Sequence, residues 1–87
     1  MNKQKRLAKL ARSTSYKLRA AAAGNPMTDE TTLFKLATDP EPHVRSWVVR
    51  NPSVPEWILV WKRDHDSDAG IRAYAQFRLD MMAELSV

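Results

Sequence analysis

The sequence predicts an all-α fold, a single helical-repeat domain spanning 1–87 in which short helices stack in pairs as a short α-solenoid. Three observations carry this expectation: an internal period of 26 residues, Asn-Pro and Asp-containing turns at matching places within it, and apolar spacing suited to short helices. Eighty-seven residues suffice for one hydrophobic core and not for two.

The period emerges when residues 10–26 are set over 36–52. Leu10/Leu36, Ala11/Ala37, Leu18/Val44, Arg19/Arg45, Asn25/Asn51 and Pro26/Pro52 then coincide, as do Glu30/Glu56 and Leu33/Leu59 downstream. One extra residue near positions 60–65 brings Asp39…Val44-Arg45 over Asp66…Ile71-Arg72. The chain therefore holds about two and a half helix-pair copies, at about 7–26, 27–52 and 53–78.

In order, the first helix is basic, with Leu7, Leu10 and Ala11 as its apolar stripe, and the second carries Lys17 and Arg19 before the Asn25-Pro26 turn. Thr28 is the expected N-cap of the next helix, which places Leu33 and Phe34 in the core and ends at the Asp39 turn. A helix carrying Val44-Arg45 follows under an Asp39 cap and stops at Asn51, because Pro52 disfavours helical geometry in the residue before it. Ser53 and Pro55 open the helix through Trp57 to Trp61, with Leu59 and Val60 as its core residues. A capping helix over about 68–85 begins at the Asp66 turn. Trp47, over Ala21 in the alignment, is expected between layers.

The stretch Leu33-Phe34-Lys35-Leu36-Ala37-Thr38-Asp39-Pro40, then Val44-Arg45, then Asn51-Pro52, resembles the leucine-rich repeat variant family. The likeness is best over 28–72, partial over 7–26, and fades after Ile71, where no Asn-Pro follows. It implies alternating α and 3₁₀ helices in a right-handed, HEAT-like superhelix, and it bears on fold more than on function. Some members of the family carry an iron–sulfur module with clustered cysteines; this chain has no cysteine, and no cofactor is expected.

The absence of cysteine also excludes disulfides, thiolate metal sites and thiol catalysis. No apolar run approaches a membrane span, and the amino terminus lacks a secretion signal, so a cytoplasmic location without membrane partners is expected. Charge is unevenly distributed. Lys3, Lys5, Arg6, Lys9, Arg12, Lys17 and Arg19 precede the first acid, Asp29, whereas the remainder sets seven basic residues against ten acidic ones. This basic region is either the solvated face of an end helix or a footprint for phosphate backbones or an acidic protein.

No catalytic or metal constellation is recognisable. Asp64-His65-Asp66-Ser67-Asp68-Ala69-Gly70 begins like a calcium loop, but its glycine falls one position late and Ala75 stands where a bidentate glutamate is needed. His43 and His65 belong to no catalytic or metal motif. Asp39/Arg45 and Asp66/Arg72, both six apart, fit a structural ladder between helices better than an active site. Trp57 and Trp61 replace the polar Thr31 and Lys35 of the preceding copy and share one helix face. Either the capping helix covers them, or they are exposed anchors of the kind enriched at interfaces.

The expected function is therefore a non-catalytic interaction module, a protein-binding adaptor or inhibitor that docks through Trp57, Trp61, Arg45 and Arg50 while its basic end steers it to an acidic partner. Nucleic-acid backbone binding through the Lys/Arg cluster is the alternative. Self-association through the ends stays open, with Met81, Met82 and Leu85 as the residues to watch.

Overall fold

The computed structural model describes residues 2–85; Met1, Ser86 and Val87, which the expected domain also includes, lie outside the described residues. Among the described residues there are six helices and no strand: α1 (Lys3–Ala11), α2 (Tyr16–Gly24), α3 (Glu30–Leu36), α4 (Pro42–Arg50), α5 (Glu56–His65) and α6 (Ala69–Leu85). All are α-helices, and the segments after the two Asn-Pro steps are turns without 3₁₀ helix. No helix is long and apolar enough to cross a membrane.

Helix α4 lies between α2 and α6, α1 packs on α2, α5 packs on α6, and α3 meets α1, α2 and α4. The molecule measures 41 × 26 × 16 Å, with a radius of gyration of 12.6 Å, close to that of a compact domain of its length. Its core runs from Ala20, Ala22 and Ala23 through Leu33, Leu36, Val44, Val48 and Val49 to Ile58, Leu59, Ile71 and Ala75. Alanines on α2 let α4 approach closely, and valines fill the equivalent places one period later, so that interior is gained without long side chains.

Helix starts differ from expectation in a consistent way. The Thr28 hydroxyl donates to the Ala22 carbonyl at 2.6 Å, which ties the turn to the end of α2, and the cap of α3 passes to Asp29, whose carboxylate accepts the Thr32 amide at 2.9 Å. That hydrogen bond holds the Asp29 carboxyl below the usual carboxylate range. Pro55, not Ser53, precedes α5, while Ser53 donates its amide to the Asn51 side chain. Asp39 and Asp66 sit two residues before the caps expected of them. Each accepts the amide two positions on, from Glu41 and Asp68, and Asp68 then caps α6 by accepting the Ile71 amide at 3.0 Å. Asp29→Ala is expected to lower the unfolding free energy by about 1 kcal/mol, the worth of one N-cap, as measured by urea denaturation.

The core register is shifted by one residue from that expected. Phe34 is 45% exposed and Val60 half-buried, whereas Thr32, Leu33 and Leu36 on α3 and Ile58, Leu59 and Lys62 on α5 point inward. A stripe at i, i+1 and i+4 is what two short helices need when each faces the core along one side. Lys62 occupies the place of Leu36 26 residues earlier and is buried with its charge, a substitution that requires the partners described below.

Candidate functional site

Two sets of polar side chains and one surface strip are candidates for function. The first set is the ladder. The Arg19 guanidinium donates to the Asp39 carboxylate at 2.8 Å and to the Ser13 carbonyl at 2.9 Å. Twenty-six residues on, Arg45 donates to the Asp66 carboxylate at 3.1 Å and to the Asp39 carbonyl at 2.8 Å. Arg72 repeats the backbone half of the pattern, donating to the Asp66 carbonyl at 2.7 Å. Each aspartate thus presents its carbonyl to the arginine six residues later and its carboxylate to the arginine of the preceding copy, which resolves how the Asp39/Arg45 and Asp66/Arg72 pairs work. Asp66 receives a second cation, Lys62, at 3.0 Å, and Lys62 also donates to the Ala37 carbonyl. Among the described residues no buried side-chain nitrogen or oxygen lacks a partner.

This arrangement redistributes the residues singled out in the sequence. Arg19, grouped with the basic cluster, and Arg45, grouped with the partner-binding residues, are held between carboxylates and carbonyls and have little exposed surface to offer. Lys3, Lys5, Arg6 and Lys9 are exposed along α1, as are Arg12 at its C-cap and Lys17 on α2. None of these six enters an ion pair among the described residues. Trp57 is 47% exposed, its indole N–H donates to Glu30, and its ring lies 5.7 Å from that of Phe34. Trp61 is half-buried against the core, 5.3 Å from Phe34 and with the Lys62 ammonium 4.7 Å from its ring. Thus Phe34 on α3, and not the capping helix, is the aromatic partner of both tryptophans.

The surface strip crosses α2, α4 and α6. Trp47 does not sit inside: it lies over Gly24, where an added Cβ would come within 3.0 Å of its ring, and remains 40% exposed. Glycine at 24 is what allows that close approach. Arg50, one turn further along α4, places its guanidinium 5.8 Å from the Trp47 ring and 5.1 Å from the Tyr74 ring of α6. Tyr74 in turn lies 5.7 Å from Phe77, and Tyr16 of α2 meets His43 of α4 edge-on at 5.7 Å. Two shallow cavities run along the strip. One of about 370 Å³ is bounded by Lys17, Gly24, His43 and Trp47, and one of about 430 Å³ by His43, Ser46, Arg50, Asp68 and Tyr74.

Of this strip the sequence points to Arg50 and Lys17 as binding residues and to Trp47 only as an interlayer residue; Tyr16, Tyr74 and Phe77 carry no expectation. A signal was present. With offsets of 26 and then 27, Lys17, His43 and Gly70 align, as do Ala21, Trp47 and Tyr74, and Gly24, Arg50 and Phe77. These aligned positions on α2, α4 and α6 are the ones that line the strip and its cavities.

Chemically the strip offers cation, aromatic edge and imidazole; His43 and Ser46 line the same cavity, and among the described residues no hydrogen bond joins them. Among the described residues, no three of His, Cys, Asp and Glu come together as metal ligands would. Comparison with family models, with curated proteins and with solved structures finds no match.

Proposed function

We propose that the chain is a non-catalytic, cytoplasmic protein-binding module, a short right-handed α-solenoid of the HEAT-like, leucine-rich repeat variant kind, that docks an acidic protein partner on its α2–α4–α6 strip. The carrying observation is the Arg50 guanidinium bracketed by the rings of Trp47 and Tyr74. Tryptophan, tyrosine and arginine are the residue types that dominate binding hot spots. Here each is already held by its neighbours before a partner arrives, so little side-chain entropy is lost on docking. The basic α1 adds long-range attraction toward a negatively charged surface. The repeat reading is supported by the 26-residue offsets that relate the Arg–Asp pairs and the positions along the strip.

A second reading, nucleic-acid backbone binding, is favoured by the six exposed cations of α1 and α2 that lack acidic partners. Against it, the Arg50 guanidinium already lies over one face of both the Trp47 and the Tyr74 ring, which leaves fewer faces open to a base.

Capture from native lysate, with and without nuclease, separates the two. A protein partner should survive nuclease, and Arg50→Ala or Trp47→Ala should weaken its binding by roughly 30-fold, the penalty of a hot-spot residue of about 2 kcal/mol. Trp57→Ala, on α5 and turned toward Glu30 and Phe34, should leave it intact. Loss of all captured material on nuclease treatment, with sensitivity only to neutralising Lys5, Arg6, Lys9 and Arg12, would instead establish the backbone-binding reading.

A further inference from the structure

We propose that copies of this chain associate head to tail, the last turns of α6 in one copy seating in the groove between α1 and α2 of the next. The groove encloses about 710 Å³ and is lined by Arg6, Lys9, Leu10, Arg12, Ser13 and Leu18. Its floor is apolar, with Leu18 46% exposed, and its rim is cationic. Among the described residues Arg6, Lys9 and Arg12 form no ion pair, and the sequence supplies no acid before Asp29 with which α1 and α2 might neutralise themselves.

The last turns of α6 are the complement. Phe77, Met81 and Leu85 are 53%, 46% and 81% exposed, and their i, i+4, i+8 spacing puts them on one helix stripe. Asp80 and Glu84 flank that stripe at the same spacing from each other. Asp80 accepts a hydrogen bond from the neutral Gln76 at 2.8 Å, and among the described residues neither Asp80 nor Glu84 enters an ion pair. An apolar stripe flanked by two carboxylates thus matches an apolar floor rimmed by three cations.

Within one molecule the two surfaces do not meet. The α1–α2 groove and α6 are separated by α4, which packs on both α2 and α6. Because donor and acceptor surfaces differ, each docked copy leaves one of each free, and the contact is heterologous: it propagates with concentration instead of stopping at a two-fold dimer. Phe77 belongs to both this stripe and the partner-binding strip, but the charge reversals leave it untouched and the test uses purified protein alone, so this inference and the partner reading fail separately.

Sedimentation equilibrium over about 10 μM to 1 mM, in low and high salt, reads the result. The wild-type average mass should climb above the 10.0 kDa monomer as concentration rises, and salt should reduce the climb. The head variant R6E/K9E/R12E and the tail variant D80K/E84K should each remain monomeric. An equimolar mixture should associate again, since the reversed head of one now fits the reversed tail of the other. All five positions are exposed, so both variants should keep the wild-type circular dichroism; if the triple reversal unfolds, R12E with E84K provides the same exchange. A wild type that stays monomeric throughout, a dimer that neither reversal disturbs, or a mixture that fails to recover association overturns the proposal.

Discussion

Asp66→Ala is expected to be the most damaging single substitution in the chain, lowering the unfolding free energy by about 3–5 kcal/mol. The Asp66 side chain is fully buried and receives Arg45 at 3.1 Å, Lys62 at 3.0 Å and the Asp68 amide at 2.9 Å. Its removal leaves two cations, at 11% and 8% side-chain exposure, with no counter-charge in a site shielded from water. The cost of such an orphaned charge exceeds anything the pair contributes by attraction, because solvation given up on folding is no longer offset. Against a total of about 5–15 kcal/mol for a domain of this size, the loss brings the protein close to unfolding at ordinary temperature. Asp66→Asn keeps the shape and the acceptor for Asp68, and should cost less.

The same residue sets an acid limb of stability. Burial pushes the Asp66 carboxyl up, but the Asp68 amide, Arg45 and Lys62 together outweigh it and hold the group below its ordinary value. A carboxylate depressed on folding contributes stability that is fully present above its unfolded value, about 3.9, and is lost as pH falls through the folded value. Urea unfolding followed from about pH 6 downward should therefore show a steeper decline below about pH 4 in the wild type than in Asp66→Asn. Parallel declines would show that other carboxylates carry the acid sensitivity.

The sequence made the helical class and the helix order legible because a 26-residue pattern and proline-marked turns constrain them locally. What it concealed depends on tertiary neighbours. Thr28 has the chemistry of an N-cap, yet the Asn-Pro turn brings its hydroxyl to the Ala22 carbonyl, and the cap moves to Asp29. Lys62 reads as a solvated cation on an amphipathic helix. Only the i+4 placement of Asp66, together with a carbonyl at Ala37 far away in sequence, allows it to replace a leucine in the core. The strip on α2, α4 and α6 is hidden in the alignment of the first two copies, because Trp47 falls there over the featureless Ala21. Reading all three copies at once would have placed Trp47 with Tyr74 and Arg50 with Phe77. That Arg50 of α4 reaches the Tyr74 ring of α6, with Trp47 and Phe77 beside them on their own helices, is a property of packing and not of the sequence pattern.

Asn51→Ala should follow Asp66→Ala in severity, at about 3 kcal/mol, with Arg78→Ala at about 1–2 kcal/mol and Asn25→Ala below about 1 kcal/mol. Asn51 is wholly buried at the end of α4. Its amide donates to the carbonyls of Ala23 and Asn25 at 2.7 and 2.9 Å, and its oxygen accepts the Ser53 amide at 2.7 Å. Truncation takes a partner from three backbone groups, and the penalty falls mainly on the wholly buried Ala23 carbonyl, since the Asn25 carbonyl keeps the Thr28 amide and Ser53 is exposed to water. Asn25 keeps only the local half of this pattern, accepting the Met27 amide at 2.9 Å, and is half-buried, so solvent can replace what is lost. No third Asn-Pro exists, and α6 runs straight through the position where it would fall. Yet the Arg78 guanidinium donates to Val49 and Asn51 at 2.9 and 3.1 Å, and these are the carbonyls 26 residues beyond Ala23 and Asn25. Arg78 itself lies 27 residues beyond Asn51, which is the period plus the extra residue near 60–65. A long side chain projecting from an unbroken helix thus satisfies the carbonyls that a short one satisfies from a turn, and the demand of the α4 terminus explains an arginine where the pattern otherwise has asparagine. Urea denaturation of the three variants tests the order. If Asn51→Ala were no worse than Asn25→Ala, the carbonyls at the end of α2 would be finding other donors, and the equivalence of Asn51 with Arg78 would lose its energetic meaning.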